Sequence, residues 1–124
     1  MIRFARVLSL ITQIRYWLMI RVRRPYKHTV GFANFQDFDN HYQKHRRESP
    51  DFATSFGYAR FADEFCGGQL KATMYEHVRL DDGATVRFDT STQIAGVLHA
   101  GRIIGTCHIR KRNGLVWFER QQLR

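Results

Sequence analysis

Arg102-Ile-Ile-Gly-Thr-Cys-His-Ile-Arg-Lys-Arg-Asn-Gly-Leu-Val-Trp-Phe-Glu-Arg-Gln121 is the stretch from which the fold class is read. Asn113-Gly114 is a strong two-residue hairpin signal, flanked by runs rich in strand-forming residues. A turn there predicts a hairpin over Ile103 to Gln121 and fixes its register, because strand side chains alternate with a period of two. Ile109 then faces Phe118 and Lys111 faces Val116, with Cys107 and Ile103 on the same apolar side. The other side pairs Arg110 with Trp117 and His108 with Glu119. One face is expected to be core, the other wet or covering something polar. No P-loop, nucleophile elbow or metal motif accompanies the pattern.

Working outward, the period of two begins at Leu70. Asp81-Asp82-Gly83 reads as a three-residue loop, with Val78 opposite Val86 and with Leu80 and Phe88 on the same apolar face. Ala100-Gly101 is a weaker turn. The expectation is a five-stranded antiparallel meander over 72–80, 84–90, 92–99, 102–112 and 115–122.

Ahead of the sheet the period is helical. Ser49-Pro50-Asp51 is a start signal, the aromatic run Phe52 to Phe65 follows, and Gly67-Gly68 stops it. Gly57 divides this segment into a lead-in and a main helix starting near Phe56. Asn34 caps a helix over Gln36 to Arg47, with acids early and bases late to suit the helix dipole. Thr29 to Phe32 is a short strand candidate. Residues 1–24 form a basic amphipathic helix that Pro25 ends, its apolar stripe being Phe4, Val7, Leu8, Ile11, Ile14, Leu18 and Val22. Arg15 interrupts that stripe, which argues against a membrane span. Three uses remain open for the helix: packing on its own domain, lying on an anionic membrane surface, or targeting, since its Arg-rich, acid-free start resembles a mitochondrial presequence. Residues 25–124 then make a single α+β domain.

The chain of 124 residues carries a formal net charge of +9. Residues 1–48 hold ten Lys/Arg against three acids, whereas the remainder holds ten against eight. Such a basic half calls for an anionic partner: nucleic acid, a membrane surface, or a phosphorylated small molecule. Two cysteines, Cys66 and Cys107, without a secretory framework indicate a reducing compartment, hence a cytoplasmic or membrane-peripheral protein. Cys107 and His108 point to opposite faces of a strand, which argues against shared metal ligation. His41 and His45 lie one helical turn apart and have no third ligand at sensible spacing.

An aromatic helix ending in Gly-Gly ahead of an antiparallel meander resembles the hot-dog fold of acyl-CoA thioesterases and dehydratases. The resemblance rests on Tyr58-Ala-Arg-Phe-Ala-Asp-Glu-Phe-Cys-Gly-Gly68 and on Val86 to Leu123, about half of the chain. It implies hydrolysis or binding of an acyl-CoA thioester without a cofactor, and a homodimer paired along the strand 115–121. It places the site at the start of the long helix, where Phe56 and Gly57 present backbone N–H groups and Tyr58 adjoins the substrate. Asp63 matches the carboxylate of one subfamily, with Glu64 its neighbour. The stretch Thr54-Ser55-Phe56 departs from the His-Gly-Gly of many members. Asp37-Phe38-Asp39-Asn40-His41 resembles, in a more compact form and further upstream, another subfamily's Asp-x-Asp and histidine. The alternative to this enzyme is a small basic module that binds nucleic acid weakly and nonspecifically through Arg110, Arg112 and Trp117, with Lys111 nearby. A membrane-peripheral protein held by its first helix is the third reading.

Overall fold

A computed structural model describes residues 2–108 and 113–123. Among them the order of elements is α1 (Ile2–Arg23), α2 (Phe35–His45), a 3-10 turn (Pro50–Phe52), α3 (Ser55–Gly67), β1 (Met74–Val78), β2 (Thr85–Asp89), β3 (Ile94–His99), β4 (Arg102–His108) and α4 (Gly114–Gln122). The strands form one antiparallel meander in the order β1-β2-β3-β4. The α+β class, and a helix laid on a meander, are as expected.

The fifth strand is not there. Residues 115–121 belong to α4, and 109–112 lie outside the described residues, so the pairings of Ile109, Arg110 and Lys111 have no strand to meet. The Asn-Gly pair serves a different purpose from a hairpin turn. Asn113 caps the helix, its side-chain oxygen accepting from the Val116 N–H at 3.3 Å. Gly114 is required by a close approach, since a Cβ there would sit 2.5 Å from Phe88 Cζ. Nor is the second sheet face wet. Phe118 and Trp117 of α4 cover it, packing against Val86, Phe88, Ala95 and Val97. Without a strand over 115–121, the edge that argued for a homodimer disappears.

The helices before the sheet follow their caps. Asn34 accepts from the Asp37 N–H at 2.8 Å, Ser49 from Asp51 at 3.3 Å and Thr54 from Gly57 at 3.0 Å. The segment from Ser49 does divide into a lead-in and a main helix, α3, starting one residue before Phe56. No strand forms over Thr29 to Phe32. Instead the Val30 N–H donates to the Gly101 carbonyl and the Ile103 N–H donates to that of Gly31, which lays a loop against the β3–β4 hairpin.

The register of the first hairpin is one residue from the expected one. His77, not Val78, pairs with Val86, leaving Val78 and Leu80 exposed. Arg79 causes the slip. Its N–H donates to the Ala84 carbonyl, and its guanidinium donates to both Asp82 carboxylate oxygens at 3.1 and 2.7 Å. The loop therefore closes at 79 and 84, with Gly83 in the left-handed region (φ +72°).

The main core lies between the inner sheet face and the helices. Phe32, Phe35, Phe38, Phe52, Tyr58 and Ile103 are buried there. Arg87 on β2 donates to the Phe65 and Gly68 carbonyls, closing the C-terminus of α3 with a positive charge. The first helix enters this core through Tyr16 and Met19, with Ile20 partly buried. Of the expected stripe, Ile11, Ile14, Leu18 and Val22 are largely exposed, Leu18 and Val22 at the edge of a groove against α2 and α3, and the side chains of Phe4, Val7 and Leu8 lie outside those described.

Candidate functional site

The residues expected to form one thioester site are dispersed. Asp63 is 2% exposed and its carboxylate is fully engaged. Oδ2 accepts from the backbone N–H groups of Lys27 (2.9 Å) and His28 (3.1 Å), and Oδ1 from the Thr29 N–H (2.9 Å) and hydroxyl (2.7 Å). Asp63 thus fastens the loop after α1 to α3. Glu64 is half exposed, with Oε2 2.8 Å from His28 Nε2. The Phe56 ring lies under the Arg23 guanidinium, 3.5 Å from the centroid. The Gly57 N–H is taken by the Thr54 cap. Tyr58 is fully buried, its hydroxyl donating to the Thr106 carbonyl at 2.8 Å. Trp117 sits half-buried on the far side of the sheet, while Arg110 and Arg112 lie outside the described residues.

Phe56, Asp63 and Glu64 do meet at one place. They line a hollow of about 320 Å³ together with the basic residues Arg23, Arg24, Lys27 and Arg60. Across Phe56 and Arg23 it adjoins an apolar groove of about 620 Å³ between α1, α2 and the start of α3, walled by Met19, Val22, Phe35 and Phe38.

A second constellation stands on α2, against β4. His41 and His45, four residues apart, share one helix face with ring centroids 6.0 Å apart and planes 24° from parallel. Each has a carboxylate. Glu48 Oε2 lies 2.7 Å from His45 Nδ1, and Asp37 Oδ1 lies 3.6 Å from His41 Nε2. An ionised carboxylate only accepts, so the close Glu48 contact fixes the proton on His45 Nδ1 and turns Nε2 away from it. The other Glu48 oxygen accepts from the His108 N–H at 2.8 Å, which ties the end of β4 to the histidine pair. Gly105 of β4 lies against the His41 ring, a Cβ there falling 3.4 Å from Cε1, an ordinary contact. Burial holds His41 below its ordinary pKa, against the opposing pull of Asp37, while His45 and Lys44 add to the lowering. The His41 side chain is 27% exposed and that of His45 is 11%.

The arrangement suits proton transfer: one imidazole favoured neutral and a second oriented by a carboxylate. The sequence displays the His41/His45 spacing. What it conceals is Glu48, three residues on, and the approach of β4, which comes from 60 residues away. Among the described residues, no group of three or more His, Cys, Asp or Glu side chains is placed to hold a metal ion. Cys66 is buried beside Thr106 Oγ1 at 3.3 Å, and burial pushes its thiol up to about 11, which keeps it protonated and a poor nucleophile.

The fold and site thus define an α+β domain with helices on both faces of a four-stranded meander and a carboxylate-supported histidine pair at one edge. Neither a family model nor a curated protein nor a solved structure matches the chain.

Proposed function

We propose that the protein binds RNA through its basic surface and cleaves it by acid–base catalysis at His41 and His45. The observation that carries this reading is the pair itself, 6.0 Å between ring centroids and each imidazole beside a carboxylate. The net charge of +9 supports a polyanionic substrate. A pair of imidazoles supplies proton transfer and no attacking group, so it fits a phosphodiester that brings its own nucleophile, as the ribose 2′-hydroxyl does.

Neutral His41 takes the proton of the 2′-hydroxyl as its oxygen attacks the adjacent phosphorus. The bond from phosphorus to the 5′-oxygen breaks, and that oxygen takes a proton from protonated His45. The products are a 2′,3′-cyclic phosphate and a free 5′-hydroxyl. Arg110, Lys111 and Arg112 follow His108 after one intervening residue, Ile109, and add charge for nonspecific, salt-sensitive binding.

The test is cleavage of an end-labelled RNA and of its all-deoxy counterpart. Both should bind, only the RNA should be cut, and His41→Ala should slow cutting by about 100-fold or more with binding retained. His45→Gln, which keeps a donor for Glu48, is expected to slow it as well. Intact RNA after incubation with folded wild-type protein, or an undiminished rate in His41→Ala, would overturn the reading.

The apolar groove beside the basic hollow favours a second reading, in which an acyl-CoA thioester lays its chain in the groove and its phosphates on Arg23, Arg24, Lys27 and Arg60. Glu64, half exposed at the hollow, would act on the thioester while Asp63 holds the wall in place. Pairing into a homodimer belongs to this reading. Calorimetry and hydrolysis with a panel of acyl-CoAs test it. Neither binding nor turnover, or turnover unaltered in Glu64→Gln, removes its chemistry.

A further inference from the structure

We infer that the outward face of α1 docks on the surface of an anionic phospholipid bilayer, independently of the histidine site. Successive helix residues turn by about 100°, which sets Ile11, Ile14, Leu18 and Val22 within an arc of roughly 80°. Of the residues that enter the core, Tyr16 lies about 160° from the centre of the arc and Met19 about 100° from it. The arc is thus turned largely to solvent, with Leu18 and Val22 also edging the apolar groove between α1, α2 and α3. Val22 is 76% exposed and Leu18 56%, and Leu10 and Trp17 widen the apolar surface along one border. Six large apolar side chains on one helix face are more than scattered surface hydrophobes.

The borders identify the occupant. Arg15 and Arg21 stand about 60° to either side of the centre of the arc, where long side chains reach past a buried stripe to lipid phosphates. The helix carries no acidic residue, and the first acid in the chain is Asp37. Arg23 and Arg24 continue the positive charge at its end. An apolar strip whose charged neighbours on the helix are all cations complements the boundary between acyl chains and anionic headgroups. Trp17, beside the strip, suits that boundary too. Spanning is a different matter, for among the described residues no helix is long and apolar enough to cross a membrane.

The experiment is sedimentation of the full chain with vesicles of phosphatidylcholine alone and of phosphatidylcholine with phosphatidylglycerol. Binding is expected to the anionic vesicles, to weaken with salt, and to fall roughly tenfold or more in Ile14→Asp/Leu18→Asp. These two side chains are exposed, so circular dichroism should show the variant folded. A second readout is free of that variant: brominated anionic lipid should quench tryptophan emission in the wild type and much less in Trp17→Phe. Failure of the folded wild type to bind anionic vesicles would overturn the inference. So would equal binding to neutral vesicles, or a dimer that Ile14→Asp/Leu18→Asp dissociates in a chain indifferent to vesicles. Loss of RNA cleavage leaves this test unaffected, as the two faces share no residue.

Discussion

Asp63 shows how far a single residue can be read. Its position in an aromatic helix suggests a reactive carboxylate, yet its contacts come from residues 27–29, more than thirty positions earlier. No local pattern announces them. Replacing Asp63 with Ala leaves three backbone N–H groups without their acceptor in a buried place, so stability should fall by about 3 kcal/mol in urea denaturation. Asp63→Asn should also destabilise, because an amide –NH2 then confronts N–H donors. Cys66 gives a second expectation at this scale. With burial holding its thiol up to about 11, a Cys107→Ser chain should react with a thiol reagent at pH 8 only slowly while folded and rapidly in denaturant. Fast labelling of the folded chain would contradict the burial beside Thr106.

The elements were legible where a side chain closes its own helix. Asn34, Ser49, Pro25 and the Gly67-Gly68 stop act within four residues of the ends they define, and the sequence shows them directly. Asn113-Gly114 was misread because the same dipeptide serves a hairpin turn and a capped helix packed tightly at its first residue. Only the distance to Phe88 separates them. Arg79 is a similar case: its grip on Asp82 moves the hairpin by one residue, and alternation alone cannot reveal that. Two substitutions test α4. Asn113→Ala should cost about 1 kcal/mol as a lost cap, and Gly114→Ala about 1–3 kcal/mol as its methyl collides with Phe88. Urea denaturation measures both, and no loss in either would contradict a capped helix there.

At the scale of the whole molecule, the charge and the α+β class are plain in the sequence. It left open which faces would meet. The α1 stripe is visible in the sequence as a stripe, but its exposure depends on Tyr16 finding Phe35 and Phe38 while Met19 joins the same core. The histidine pair likewise becomes a site only when β4 reaches α2 through Glu48. Its pH behaviour follows from the direction of the His41 shift. A general base works when neutral, so the rate should fall as pH drops through the His41 pKa, at a midpoint below the ordinary value of about 6.5. Asp37 favours the charged form, and Asp37→Asn should therefore move that acid limb to still lower pH. A limb that stays in place would remove Asp37 from the account.

In the proposed cleavage the substrate's own 2′-hydroxyl attacks while two imidazoles move the protons. Mass spectrometry of the fragments from a short RNA tests it most directly. Early products should carry a 2′,3′-cyclic phosphate on one fragment and a 5′-hydroxyl on the other. They should disappear when the 2′-hydroxyl at the cleaved position is replaced by hydrogen. Fragments ending in 5′-phosphates, or cleavage that persists at the deoxy position, would contradict it.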